Sequence, residues 1–105
     1  MKTKLTDIAG VIRSKNSGPY ELTLDILFNR EEDFQKVVSG GFINEELICS
    51  LYSVAADKIV SIVAFAPAKA IKATIIRPLC SGDLGETDVY GAQQHAPLLG
   101  LEFDL

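Results

Sequence analysis

Tyr20-Glu21-Leu22-Thr23-Leu24-Asp25-Ile26-Leu27-Phe28 decides the fold, because apolar and polar side chains alternate along most of it. Tyr20, Leu22, Leu24, Ile26 and Phe28 fall on one side of an extended backbone, and Glu21, Thr23 and Asp25 fall on the other. The reading is a strand with one face on a core and one face turned to water.

Working outward toward the C-terminus, Asn29 stands three residues before Glu32, the pattern of an N-cap followed by an acid at the third helical position. Phe34, Val37 and Val38 supply that helix with a buried stripe, and Gly40-Gly41 stop it. A second helix is expected from the cap Asn44, with Glu45 and Glu46 in its first turn and Leu47, Ile48 and Leu51 facing inward. Ile59 to Phe65 is β-branched and nearly all apolar, a central strand or one covered on both faces. Ala66-Pro67-Ala68-Lys69 turns the chain, and Ala70 to Arg77 returns as a strand closed by Pro78, so the two make a hairpin. Ser81 to Pro97 is polar and carries at most a short helix around residues 88–94. Leu99, Leu101, Phe103 and Leu105 alternate with Gly100, Glu102 and Asp104 as a terminal strand.

Toward the N-terminus, Leu5, Ile8, Ala9 and Ile12 follow the spacing of one helical face, with Thr3 as a cap and Arg13 and Lys15 near the far end. Asn16-Ser17-Gly18-Pro19 should end that helix. The whole chain therefore reads as a single α+β domain, residues 1–105, with a ferredoxin-like βαββαβ antiparallel sheet and an extra N-terminal helix. Helices would cover one face, leaving Glu21, Thr23, Asp25, Lys72, Thr74, Glu102 and Asp104 to share the other.

Composition bounds the function classes. At 105 residues, 48% hydrophobic and 23% charged, the chain can bury one core without staples and is unlike a disordered sequence. Residues 1–77 carry ten Lys/Arg against nine Asp/Glu, whereas residues 78–105 carry five acids and no cation, so no clustered positive field is available to a nucleic-acid backbone. The start lacks the apolar run of a signal peptide, and Ile59 to Ala68 is far short of a bilayer span, so a cytoplasmic protein without a membrane anchor is expected. Cys49 and Cys80 read as reduced, buried thiols.

Chemistry concentrates in two polar segments, residues 13–19 and 87–97. Arg13 can grip a carboxylate or phosphate with two prongs and Lys15 with a point charge, although helix-end cations of this kind also arise simply to complement the helix dipole. His95 is the single histidine and could exchange protons with Asp88 or Tyr90 nearby in sequence. No nucleophile elbow surrounds Ser14, Ser17 or Ser81, no ligand spacing suggests zinc or iron, and Ser81-Gly82-Asp83-Leu84-Gly85-Glu86 lacks the lysine of a phosphate loop. No cofactor and no metal are implied.

Four blocks together carry a resemblance: residues 12–20 (Ile-Arg-Ser-Lys-Asn-Ser-Gly-Pro-Tyr), Leu24-Asp25, residues 70–78 (Ala-Ile-Lys-Ala-Thr-Ile-Ile-Arg-Pro) and residues 88–99 (Asp-Val-Tyr-Gly-Ala-Gln-Gln-His-Ala-Pro-Leu-Leu). They resemble the bacterial domain-of-unknown-function family 4387 over nearly the whole chain. That resemblance implies a small companion of AtuA-type proteins, named for acyclic terpene utilisation and associated with acyl-CoA and carboxylic-acid catabolism. A similar ferredoxin-like domain is fused to the end of some AtuA-type chains. The implied role is an accessory subunit docking on that larger partner, with no catalytic residue to carry over. The matching blocks leave Arg13, Lys15, Asn16, Lys72, Arg77, Tyr90, Gln93, Gln94 and His95 as ligand-binding candidates. Two alternatives stand beside it: a self-associating module that holds a small carboxylate with Arg13, Lys15 or Arg77, and an isomerase or hydratase using His95 or Tyr90.

Overall fold

The computed structural model describes residues 2–18, 20–76 and 96–104, and within them the chain is a mixed α+β protein with three α-helices and two antiparallel sheets. The decisive stretch forms β3 (Glu21–Phe28), one of the two inner strands of a four-stranded sheet. It is followed by α2 (Glu31–Gly40), α3 (Glu45–Tyr52), β4 (Ile59–Phe65) and β5 (Ala70–Ile76). β4 and β5 form the expected hairpin, closed by a short 3-10 turn over Ala66–Ala68, but among the described strands β4 stands at the edge of the sheet with Val60, Val63 and Phe65 exposed, rather than central or covered on both faces as its apolar run suggests.

The N-terminal helix is a correction. Only Leu5–Ile8 is helical (α1), and residues Ala9–Gly18 are a ten-residue strand, β2, paired antiparallel with β3. Gly10-Val11-Ile12 are poor helix formers, one for backbone entropy and two for their branched Cβ, so pairing with β3 prevails over the helical spacing. Gly10 also has a local reason to be glycine, since a Cβ there would stand 2.3 Å from Asn29 Oδ1. Asn29 is thereby occupied against β2, and its N–H donates to the Ile8 carbonyl at 3.0 Å, so Arg30 rather than Asn29 holds the cap position of α2. α2 closes as expected: Gly41 sits at φ 63°, with the Gly41 and Phe42 N–H groups donating to the Val38 and Val37 carbonyls. Asn44 caps α3, its Oδ1 accepting from the Leu47 N–H at 2.9 Å and its Nδ2 donating to the Gly41 carbonyl at 2.8 Å.

The sheet runs in the order β2–β3–β5–β4, every neighbour antiparallel. β3, the α2–α3 layer, β4 and β5 keep the first four elements of the expected order, but the terminal strand does not join this sheet. β6 is short (Glu102–Asp104) and pairs with β1 (Lys2–Lys4), Thr3 facing Phe103, in a separate ribbon. The position beside β3 expected for the last strand is held by β2. The short helix expected around residues 88–94 lies outside the described residues.

One core joins these parts. Leu22, Leu24 and Ile26 of β3 and Ile71, Ala73 and Ile75 of β5 are buried with Phe34, Val37 and Ile48 from the helices and with Leu5, Leu98 and Phe103 from the ends of the chain. The Phe28 and Phe34 rings meet at 6.0 Å and those of Phe42 and Phe103 at 5.2 Å, so the terminal ribbon is packed into the same interior as the large sheet. No helix of the described residues is long and apolar enough to cross a membrane.

Candidate functional site

Register assigns each candidate to a side of the sheet, because residues directly opposite across antiparallel strands share a face. Ile26–Ile71, Leu24–Ala73 and Leu22–Ile75 pair on the helix-covered side. The intervening residues form three rows across the other side. Val11, Leu27, Ala70 and Phe65 make an apolar row; Arg13, Asp25, Lys72 and Val63 make a charged one; Lys15, Thr23, Thr74 and Ser61 make a polar one.

Three candidates therefore meet: Arg13, Lys15 and Lys72 are exposed on one face within two rows of one another. Asn16 does not join them, since it pairs with the buried Leu22 and so lies on the helix-covered side. Arg77, Tyr90, Gln93, Gln94 and His95 lie outside the described residues, as does Cys80; Cys49 is a free, partly buried thiol.

The centre of this face is not open as the alternation suggests. Thr23 and Asp25 are each only 4% exposed, and Glu102 and Asp104 sit on the separate ribbon. Asp25 is the member that sequence reasoning placed on the face without assigning it a role. Its Oδ2 accepts from Arg13 Nε at 3.1 Å, with the Asp25 side chain 6% exposed and that of Arg13 60% exposed. The bond is charge-assisted, and one end of it is withdrawn from water. Asp25 has Lys72 as its cross-strand neighbour on the opposite flank. The signal that could have found it was the facing of two cation-bearing strands, which needed the β2–β3 register.

On the two edge strands the face carries exposed apolar side chains: Val11 is 40% exposed, Val63 52% and Phe65 51%. Glu32 is held below the usual carboxylate range by hydrogen bonds from Lys36 and then Arg30, and burial pushes the Tyr52 hydroxyl well above its ordinary value. Among the described residues no three His, Cys, Asp or Glu side chains are grouped to hold a metal. A depression at the start of α3, lined by Asn44, Glu45, Glu46, Cys49 and Ala56, contains none of the candidates.

Compared with known proteins, residues 5–102 match the family model described as "Domain of unknown function (DUF4387)". No curated protein and no solved structure matches.

Proposed function

The chain belongs to the DUF4387 family, and from that premise we propose that it is a docking module whose sheet face, exposed at its flanks, seats a larger subunit of the AtuA type. The observation that carries this reading is the zoning of the face, where exposed Val11, Val63 and Phe65 border exposed Arg13, Lys15 and Lys72. Contiguous apolar surface rimmed by charge is typical of a surface that spends its working life covered. We take the sheet itself as ferredoxin-like, with its fourth strand supplied by residues 9–18. The setting implied by the family resemblance is acyl-CoA or carboxylic-acid catabolism, where the module would complete or position a site on its partner.

Co-expression with an AtuA-type chain tests the proposal. The larger chain should co-purify, and Val11→Glu with Lys15→Glu should lower its recovery at least tenfold while leaving this chain folded. Failure to recover the partner, or recovery indifferent to both substitutions, refutes it.

A second reading rests on the same three cations. Arg13, Lys15 and Lys72 together suit a small carboxylate, and a module of that kind would be stabilised by about 2.7 kcal/mol at a hundredfold excess of ligand over its Kd. A thermal-shift screen of organic acids and acyl-CoAs separates the two, because a flat screen leaves only the docking module.

A further inference from the structure

Asp25 has a cation-bearing strand on either side, with Arg13 opposite it on β2 and Lys72 opposite it on β5. Among the described residues its ion pair is to Arg13 alone, through Nε at 3.1 Å. Nε is the inner donor of a guanidinium. A side chain gripped there is fixed in direction, while its outer edge, the Nη1 and Nη2 pair that matches the two oxygens of a carboxylate, is left for another acceptor. The two ends of the bond suit this division. Asp25, its side chain 6% exposed, stands on a strand paired on both sides; Arg13, 60% exposed, stands on the edge strand β2, where an untethered arginine would sweep through many rotamers. A buried anchor thus aims an exposed fork.

We propose that Asp25 is a positioning residue, which presents the Nη pair of Arg13 end-on to the carboxylate of a ligand with an apolar body. The inference rests on the carboxylate reading of the cationic face and assigns its parts. Along β2, Arg13 lies between Val11, 40% exposed, and exposed Lys15, all three on one face. A carboxylate seated on the fork can therefore extend its carbon chain toward Val11, with Lys15 adding a point charge on the other side. Glu21, the only other acid on this face among the described strands, is two rows away from Arg13. Ordering Arg13 during folding removes that cost from binding. Asp25 then aids an anion in spite of its own negative charge, and orientation and field make opposite predictions for its removal.

Hexanoate titrated into the full chain at constant ionic strength, followed by the Arg13 Nε–Hε NMR resonance and the backbone amides of residues 11–15, separates them. The wild type should bind saturably, with these signals moving together. Arg13→Lys keeps the charge but loses the fork, and should weaken binding about tenfold. Asp25→Ala removes both the charge and the acceptor: a face acting through its field alone would bind hexanoate more tightly, whereas an aimed fork should bind it about threefold more weakly. Asp25→Asn keeps an acceptor for Nε without the charge and should bind about twofold more tightly than the wild type. Circular dichroism and Tm without hexanoate check the fold of each variant. Should Asp25→Ala not fold, 15N relaxation of Arg13 Nε in the free wild type reads the same point: a rigid guanidinium supports the proposal and a mobile one overturns it. A wild type that does not bind hexanoate removes the carboxylate reading and the proposal with it. Binding that tightens in Asp25→Ala, or is unchanged in Arg13→Lys, leaves that reading standing and overturns the positioning role.

Discussion

The Arg13–Asp25 pair makes an uneven prediction: removing the exposed partner should cost more than neutralising the buried one. In Arg13→Ala a carboxylate with 6% side-chain exposure loses the guanidinium 3.1 Å away. Leaving a buried charge without its charge-assisted bond costs about 2 kcal/mol here, toward the lower part of the range because Lys72 stands on the neighbouring strand. In Asp25→Asn the amide oxygen still accepts, and a guanidinium 60% exposed returns to water, so the loss should stay under about 1 kcal/mol. Without the buried charge Arg13 matters little. The double variant should therefore match Asp25→Asn, a coupling of about 2 kcal/mol. Urea denaturation of the four proteins supplies the cycle, and the Tm of Arg13→Ala should fall by roughly 10 °C, given about 4–8 °C per kcal/mol for a domain of this size. A neutral Arg13→Ala, or an Asp25→Asn that costs more, would refute the claim that the sheet face withdraws Asp25 from water.

Three further outcomes follow from other parts of the fold. Asn44→Ala removes the side chain that accepts from the Leu47 N–H and should lower stability by about 1 kcal/mol in urea, with Asn44→Ser restoring most of it. Phe103→Ala takes away a ring that is 5% exposed and 5.2 Å from Phe42, so a loss of about 3 kcal/mol is expected despite its place two residues from the end; a loss under about 1 kcal/mol would mean that the terminal ribbon is not anchored in the core. Glu32 should titrate below an ordinary glutamate by carboxyl NMR, and Lys36→Met should move it back up. Because its folded pKa is depressed, the accompanying stabilisation is present above the unfolded pKa and fades as pH falls through the folded one.

What the sequence made legible was local. Tyr20 to Phe28, the hairpin of Ile59–Phe65 with Ala70–Ile76, and the Asn44 cap all announce themselves through spacing or a single side chain. β2 was hidden because two of its inward positions, Ser14 and Asn16, are polar, which removes the alternation and leaves Leu5, Ile8, Ala9 and Ile12 to suggest a helix. Ser14 is nonetheless 8% exposed, so tertiary pairing decides where local pattern is ambiguous. The partner of β6 lies at the opposite end of the chain, a non-local choice that alternation in Leu99–Leu105 cannot specify. The site followed the same division. Arg13, Lys15 and Lys72 could be named from their residue types, but their meeting, the exclusion of Asn16 and the burial of Asp25 each depended on register.

The β1–β6 ribbon has a consequence for attachment. Lys2 faces Asp104 and Lys4 faces Glu102, so residues near the two ends of the chain sit about 5 Å apart in Cα position. A tether leaving either end departs from the same spot, and a larger protein joined through one end would stand where it would stand if joined through the other. Linking residue 104 to residue 2 through a few glycines and opening the chain at Gly41, in the turn between α2 and α3, would change the order of the elements without moving them.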